Sequence, residues 1–247
     1  TADHLDRHGT FESYREAKLQ AFARQRPEHL AVLPDGFSAP GQARRVRFGG
    51  QPTADMRLHD GRLVWQGEPL IAAQDLRLRG PHNLQNAMAA AAVALARGID
   101  RDAVVEALRT FAGVAHRLEE VATRDGVLYV NDSKATNVDS TLVALRSFPS
   151  GVRLILGGRG KGQDFRPLAP EIERRCASVH LIGEDADRIA AAIGGEPHHD
   201  GDLEHAVAHA RELAEPGDVV LLSPACASFD QFADFEARGE AFRRIVG

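Results

Sequence analysis

The chain has 247 residues, of which 43% are hydrophobic and 26% charged, as expected for a soluble globular protein with one large domain or two ordinary ones. A net charge of -5 argues against a general nucleic-acid surface. Two distant cysteines, Cys176 and Cys226, argue against zinc and against a secreted disulfide framework. No apolar run approaches the roughly 20 residues that span a bilayer, and no signal segment is recognisable. We therefore expect a cytoplasmic protein.

Short elements of mixed type are predicted for the beginning of the chain. Because the first residue is Thr1 rather than methionine, we expect further sequence upstream. Apolar residues at helical spacing predict a helix over 11–25, and "HLAVLP" is typical of a short buried strand. Short alternating runs over 44–78 predict a small antiparallel region, in which Asp60-Gly61 forms a hairpin turn.

Two helices follow this region. The alanine-rich stretch "NLQNAMAAAAVALARGI" predicts a helix with Asn83 as its N-cap and Gly98 as its C-cap. A second helix begins at Asp100 or Asp102. Gly113 marks the boundary after which the pattern changes.

Strands and helices alternate from Gly113 to the end of the chain. Apolar runs predict four strands, "VLYV", "VRLILGG", "ASVHLIG" and "DVVLLSP". Helices are predicted over 138–148, after Pro167, at "DADRIAAAI" and "LEHAVAHARELA", and over 228–246. This alternation indicates parallel βαβ units with helices on both faces of the sheet. We expect 113–247 to form one doubly wound domain.

Polar residues gather in the loops after three of these strands, "NDSKATN", "GGRGKGQDF" and "SPACASFDQF". In an open parallel sheet, ligands bind at the carboxyl ends of the strands, so we expect the three loops to converge. Lys134 and Lys161 favour an anionic ligand, Thr136 and Ser228 suit a carboxylate, and Asp132 suits a pair of hydroxyls such as a ribose. The glycines of the second loop allow close approach of a ligand.

Simpler interpretations of these residues remain open. "GGRGKG" lacks the Walker A spacing and is often only a turn. Asp132 and Ser133 are also typical caps of a following helix, and Ser228 of the last helix. Phe235 suits the core.

The same holds for the candidates in other parts of the chain. His4 suits the surface, and Arg117 suits an ion pair with a neighbouring glutamate. Asn83 and Asn86 lie on one helix face, where they cap the helix or present amides to a planar base. From the residues alone, the chain is an α/β protein that binds a small anionic substrate.

A series of motifs nevertheless resembles, in order and over essentially the whole chain, those of the Mur ligases. They are "DHLDRHGTFESYREAK", "GPHNLQNAMAA", "GVAHRLE", "NDSKATN", "LILGGRGKGQDF" and "LLSPACASFDQF". The resemblance implies that residues 1–112 are the second half of a central P-loop-type ATPase domain. Residues 113–247 would be a Rossmann-like C-terminal domain that binds glutamate. The family's UDP-binding domain, phosphate loop and magnesium-binding glutamate have no match, so we expect the chain alone to be inactive.

The resemblance, which is strongest to the glutamate-adding members, also implies a reaction in peptidoglycan precursor synthesis. ATP phosphorylates the carboxylate of UDP-N-acetylmuramoyl-L-alanine, and the amine of D-glutamate attacks the resulting acyl phosphate. A monomer that uses ATP and two Mg²⁺ ions is implied. Two alternatives remain, a non-catalytic glutamate- or nucleotide-binding module and another Mur or folylpolyglutamate-type ligase. The sequence does not distinguish D- from L-glutamate.

Site residues follow from the matching motif positions. The resemblance implies that His4 binds Mg²⁺ and that Lys18, once carbamylated, holds a second Mg²⁺; together with Lys134 these are the implied catalytic residues. It also implies nucleotide-binding and glutamate-binding residues. The former are Asn83 and Asn86 near the adenine, Arg117 toward the phosphates and Asp132 toward the ribose, and the latter are Lys134, Thr136, Lys161, Ser228 and Phe235.

Overall fold

Two separate β-sheets organise residues 5–77 and 80–247, which are the residues that this computed structural model describes. One compact unit contains His8–Ala112 and holds a five-stranded sheet. The other contains Gly113–Gly247 together with residues 5–7 and holds a six-stranded sheet. No helix in the described part of the chain combines the length and the apolar character needed to cross a membrane.

The smaller unit packs helices against a mixed sheet. The strands lie side by side in chain order, β1 (Leu30–Pro34), β2 (Arg44–Gly49), β3 (Met56–His59), β4 (Arg62–Trp65) and β5 (Glu68–Ala72). The helices in this part of the chain are α1 (Leu5–His8), α2 (Phe11–Ala23), α3 (Pro81–Ala96) and α4 (Arg101–Thr110), and a 3₁₀ turn covers Ala73–Asp75. The alanine-rich face of α3 packs on β1, β2 and β3, and small side chains there allow close approach to the sheet.

The prediction of an antiparallel region over 44–78 is only partly right. β3, β4 and β5 are antiparallel, and the predicted turn at Asp60-Gly61 is confirmed. Both residues have positive φ, 47° and 70°, as a tight hairpin turn requires. However, β2 pairs in parallel with β3. It also pairs in parallel with β1, the strand "LAVLP", which joins the same sheet.

The predicted ends of α3 are right at one end and wrong at the other. Gly98 follows the helix with a φ of 82°, as expected for a residue that ends a helix. At the start, Gly80 occupies the N-cap and Pro81 the first position, so Asn83 lies inside the first turn. The start of α4 is as predicted, since the Asp100 carboxylate accepts hydrogen bonds from the backbone N–H groups of the first turn.

The larger unit is a doubly wound α/β fold, as predicted. Its strands are β6 (Glu119–Arg124), β7 (Val127–Asn131), β8 (Val152–Gly157), β9 (Cys176–Ile182), β10 (His198–Gly201) and β11 (Val219–Leu222), in the spatial order β10-β9-β8-β11-β7-β6. Its helices are α5 (Val138–Arg146), α6 (Ala169–Arg175), α7 (Ala186–Ile193), α8 (Leu203–Leu213) and α9 (Phe235–Val246), with a 3₁₀ turn at Arg166–Leu168. The pairs from β10 through to β7 are parallel, and β6 is antiparallel to β7.

Alternate residues of the central strands point to opposite faces and build two cores. On β8, Leu154 and Leu156 join one cluster with α5, α6 and α7, whereas Ile155 joins a second cluster with α8 and α9. Burial on both faces explains why these strands are almost continuously apolar in sequence. The two cores therefore fix the positions of the central strands and of the loops that follow them.

The structure corrects the prediction for the end of the chain and adds two strands. The last helix begins at Phe235 rather than 228, because the Asp234 side chain caps it by accepting from the N–H of Ala237. Residues 223–234 form a loop. β6 and β10, whose sequences are "EEVATR" and "HHDG", were not predicted because edge strands of this kind carry little apolar signal.

We expect a protein consisting of residues 113–247 to unfold in one cooperative transition, because this unit buries two cores of its own. Tyr129 is the sole tyrosine of that segment and is 2% exposed, so its fluorescence reports on tertiary packing. Urea titrations followed by tyrosine fluorescence and by far-UV circular dichroism should coincide. Transitions that separate, or a gradual melt, would contradict the independence of this unit.

Candidate functional site

The three polar loops follow three neighbouring strands. β11 lies between β8 and β7 and pairs in parallel with both, so all three strands end at the same edge of the sheet. The loops 132–137, 158–165 and 223–234 leave that edge after β7, β8 and β11 respectively. The predicted convergence is therefore confirmed.

Direct hydrogen bonds join the loops after β8 and β11. The backbones of Arg159 and Ala227 exchange two hydrogen bonds of 2.9 and 3.0 Å. The side-chain amide of Gln163 donates to the carbonyl of Ala225 at 2.9 Å. The two loops thus form one connected surface rather than two independent turns.

The first glycines of "GGRGKG" serve the packing of this surface. A Cβ on Gly157 would lie 2.0 Å from the carbonyl oxygen of Ile182, and one on Gly158 would lie 2.4 Å from that of Ala227. Both have φ near +126°, a conformation that glycine adopts readily. Their close approach is therefore to backbone of the same chain. Gly162, with a φ of 78°, is different, since a Cβ on it would meet no atom within 4 Å.

Asp132 is buried at the base of the site. It is 5% exposed, and its carboxylate accepts hydrogen bonds from the Ser223 hydroxyl at 2.8 Å and from the Leu118 N–H at 3.2 Å. Burial raises the pKa of Asp132 to about 7, and the bonds from Ser223 and Leu118 and the charge of Arg117 oppose this rise only in part. Both carboxylate oxygens thus have partners within the larger unit.

Lys134 and Phe235 lie side by side. The ammonium nitrogen of Lys134 is 4.3 Å from the centre of the Phe235 ring, a cation–π contact. The Lys134 N–H donates to the carbonyl of His116 at 3.0 Å, and the half-buried Thr136 follows in the same loop. Phe235 is the first residue of α9, so the helix positions its ring against the loop after β7.

Lys161 and Ser228 belong to the other two loops of the same edge. Lys161 is half-buried and its N–H donates to the side chain of Gln163. Ser228 is 2% exposed, and its carbonyl accepts from the N–H groups of Gln231 and Phe232. Sequence-predicted glutamate contacts therefore occupy all three loops.

The helix-cap interpretations of these loops are wrong. Asn137, whose side chain accepts from the N–H of Ser140, caps α5 in place of Asp132 or Ser133. Asp234 rather than Ser228 caps α9. Asp132, Ser133 and Ser228 are all buried, which the role of an N-cap does not require.

Arg238 is a component of the site that was not predicted. It is 1% exposed and donates to the Ser133 hydroxyl at 3.0 Å, to the Ser133 carbonyl at 2.9 Å and to the Cys226 carbonyl at 3.1 Å. It thereby ties the loop after β7 to the loop after β11. Its Nη1 atom is buried without a hydrogen-bond partner in the described structure, and burial lowers the pKa of Arg238 to about 10. No sequence signal reveals it, since an arginine on an amphipathic helix normally faces water.

The remaining candidates lie outside these three loops in the sequence. His4 is outside the described residues. Lys18 is an exposed residue of α2, with its ammonium nitrogen 5.4 Å from the centre of the Tyr14 ring, and Arg117 is exposed before β6. On α3, the Asn86 amide lies 3.4 Å from the side-chain oxygen of Asn83. Asn86 also lines a cavity of about 560 Å³ between α3 and α4, whose other walls are mainly alanine, leucine and further apolar side chains.

We expect Arg238→Met to destabilise the chain by roughly 2 kcal/mol or more, because three buried acceptors lose their donor. Arg244→Met, a change at an exposed position of the same helix, should shift the free energy of unfolding by less than about 0.5 kcal/mol. Urea unfolding of both variants measures the difference. Equal effects would show that the guanidinium does not hold the loops.

Asp132 should also make stability depend on pH. Its pKa is about 7 in the folded protein and near 3.8 when exposed, so its stabilising contribution is complete at low pH and is lost as pH rises through 7. Asp132→Asn removes this dependence. Relative to the unmodified chain, the variant should gain on the order of 2 kcal/mol between pH 5 and pH 8. Asp125→Asn in an exposed turn is the control, and a parallel response of the two variants would refute the assignment.

Comparison with known proteins relates this chain to one family. Residues 1–94 match the Mur ligase middle domain, and residues 116–226 match the glutamate ligase domain of the Mur ligases. The UDP-N-acetylmuramoylalanine--D-glutamate ligase of Myxococcus xanthus is 46% identical over 265 residues, and that of Anaeromyxobacter dehalogenans is 44% identical over 277. Each alignment covers 100% of this chain and 58% of the relative, so the chain spans somewhat more than half the length of these ligases.

Solved structures show the same fold at low sequence identity. MurF from Acinetobacter baumannii superposes with a TM-score of 0.72 at 18% identity, over 99% of this chain and 58% of that protein. FolC from E. coli, solved in complex with ADP, superposes with a TM-score of 0.71 at 17% identity, over 100% of this chain and 60% of that protein. Since the two domain matches together account for most of the residues, this chain belongs to the Mur ligase family.

Proposed function

We propose that this chain is part of an ATP-dependent ligase that adds D-glutamate to UDP-N-acetylmuramoyl-L-alanine in peptidoglycan precursor synthesis. Residues 1–112 would be the second half of the central ATPase domain, and residues 113–247 the glutamate-binding domain. The similarity to D-glutamate ligases at 44–46% identity favours this substrate over those of other Mur and folylpolyglutamate-type ligases. The proposal concerns the activity of a whole ligase that contains this chain.

One observation carries the proposal, namely the gathering of glutamate-suited side chains at one sheet edge. Lys134 and Lys161 supply two cationic groups, which is the number that the two carboxylates of glutamate call for. Thr136 and Ser228 supply hydroxyl donors from two different loops. Phe235 borders the ammonium of Lys134 and restricts where it can point.

The reaction explains why positioning is the main task of these residues. A carboxylate is a poor acyl donor, and transfer of the γ-phosphoryl group of ATP converts it into an acyl phosphate with phosphate as the leaving group. The amine of glutamate then attacks the acyl carbon and loses a proton. Phosphate leaves from the resulting tetrahedral intermediate. Lys134 and Lys161 would neutralise the carboxylates of glutamate, and the loops would hold its amine in line for attack.

For the nucleotide, we propose Asn83 and Asn86 near the adenine, Arg117 near the phosphates and Asp132 near the ribose. The amide of Asn86 on a mainly apolar cavity suits a planar base, and the exposure of Arg117 leaves its guanidinium free to meet an anion. Asp132 fits less simply, because Ser223 and Leu118 already occupy its oxygens. Its second lone pairs remain available to a ribose hydroxyl.

Of the two proposed magnesium ligands, only Lys18 lies within the described residues. Lys18 as an ammonium group has no lone pair for a metal, and only its carbamate would offer oxygen ligands. Its exposure on α2 leaves room for that modification. Binding of Mg²⁺ by His4 and by carbamylated Lys18 remains part of the proposal, as do the cytoplasmic location and the monomeric state.

In the whole ligase, Lys134→Ala should raise the KM for D-glutamate by about tenfold to a hundredfold, because a charge-assisted hydrogen bond contributes about 1.5–3 kcal/mol. The KM for ATP should change much less. Glutamate-dependent release of phosphate measures both. Arg174→Ala, at an exposed position of α6, is the control and should leave both constants unchanged.

Two results would overturn the proposal. The first is a whole ligase that releases no phosphate with UDP-N-acetylmuramoyl-L-alanine and D-glutamate but is active with another amino acid. The second is a Lys134→Ala enzyme whose KM for D-glutamate equals that of the Arg174→Ala control.

A further inference from the structure

Histidines are concentrated in one part of the larger unit. Five of the 11 in the chain, at positions 180, 198, 199, 205 and 209, fall within 30 residues. The glutamate site proposed above uses none of them. In the sequence, "HAVAH" has the i, i+4 spacing of the H-E-x-x-H metal motif but lacks its glutamate, and "VH" and "HHDG" match no metal motif.

The fold brings three of these histidines and one aspartate together. His180 on β9 lies opposite His198 on β10 in the parallel register. Asp200 lies two residues beyond His198, at a β-bulge of β10, and its carboxylate contacts His180. α8 packs over β9 and β10 and places His209 above them. His199 points to the opposite face and lies 3.4 Å from Asp187.

Two imidazoles share one carboxylate in this cluster. The Nδ1 atom of His180 is 2.7 Å from one oxygen of Asp200, and the Nδ1 atom of His209 is 2.8 Å from the other. Candidate ligand atoms of these three residues all lie within 4.8 Å of one another. The ring of His198 stacks on His180 with centres 5.0 Å apart and lies 4.3 Å from the ring of His209. The side chains of His180 and Asp200 are 0% and 9% exposed.

We propose that His180, His209 and Asp200 bind one divalent transition-metal ion of the zinc class, with water beside the His198 ring as the fourth ligand. Two imidazole nitrogens and one carboxylate oxygen are the donors that such ions prefer, whereas Mg²⁺ and Ca²⁺ prefer oxygen alone. The site is thus chemically distinct from the magnesium sites proposed for the ligase reaction.

Metal binding requires small changes in the distances and protons of the cluster. Bonds of about 2.0–2.1 Å to a tetrahedral ion separate neighbouring ligand atoms by about 3.3 Å, so the carboxylate needs to retreat from each imidazole by about 0.5 Å. Without metal, each Nδ1 donates its proton to the Asp200 carboxylate, so metal binding must displace both Nδ1 protons and leave each neutral imidazole with its proton on Nε2. For His180 that nitrogen lies 2.8 Å from the Ser178 hydroxyl, which can accept the proton's hydrogen bond and orient the ring.

The test is a Zn²⁺ titration of the chain without a polyhistidine tag, followed by isothermal calorimetry at pH 7.5 and by the shift in Tm. We expect one equivalent of Zn²⁺ to bind and to raise Tm. His209→Ala should weaken binding by more than about 100-fold, beyond the 10- to 100-fold loss typical of an outer-shell residue. Because His209 is half-buried on a helix, this variant should fold, and its Tm without metal checks this.

Two matched variants separate a built site from general surface binding. His199→Ala removes the adjacent histidine of β10, and His205→Ala removes the histidine one turn earlier on α8, which pairs with Asp202. Both should bind Zn²⁺ as the unmodified chain does. If the unmodified chain binds no Zn²⁺, the cluster is a hydrogen-bonded network only. If all three variants weaken binding equally, the ion is held by scattered surface histidines, and in either case the proposal is wrong.

Discussion

A buried guanidinium holds the candidate site together. Arg238 lies on the last helix, yet its hydrogen bonds go to Ser133 in the loop after β7 and to Cys226 in the loop after β11. These loops carry the proposed glutamate contacts. The hydrogen bond from Ser223 to Asp132 also joins them, and the guanidinium adds a cation enclosed by neutral acceptors. Such an arrangement is costly in desolvation and is stable only because the acceptors are fixed by the sheet. The unpartnered Nη1 atom, beside Gly158, leaves part of that charge unmatched within the described structure.

The overall architecture of the larger unit follows directly from its sequence. The central strands are buried on both faces of the sheet and therefore appear in the sequence as apolar runs. The helices that connect these strands require parallel pairing. The edge strands β6 and β10 could not be found in this way because they carry charged and polar residues. Asp234 fixes the start of the last helix, but the sequence offers several equally good caps between 228 and 234. In the smaller unit, parallel pairing of β2 with β1 depends on contacts distant in sequence, which local patterns do not contain.

Site residues whose polar groups are concentrated in one loop were predictable from the sequence. Residues that reach the site through packing of distant parts of the chain were not. Lys134 and Lys161 follow apolar strands and stand out for that reason. The chain has three lysines among 30 basic residues, Lys18, Lys134 and Lys161, and each falls in a motif that resembles a Mur ligase site. The lysine side chain ends in a compact group that can be carbamylated in its neutral amine form, whereas a guanidinium cannot, so arginine is no substitute at such positions. Arg238 and the histidine cluster become visible only when residues distant in sequence are brought together.

Because lysine is so rare in this chain, the central claim can be measured at the proposed ligand contacts. Selective ¹³C labelling of lysine gives three side-chain signals, which single Lys→Arg variants assign. In a titration with D-glutamate against a chloride control of equal ionic strength, the signals of Lys134 and Lys161 should shift and saturate together, while that of Lys18 stays unchanged. Equal shifts of all three signals, or saturation at Lys134 without any response at Lys161, would contradict a shared pocket at the carboxyl ends of β7, β8 and β11.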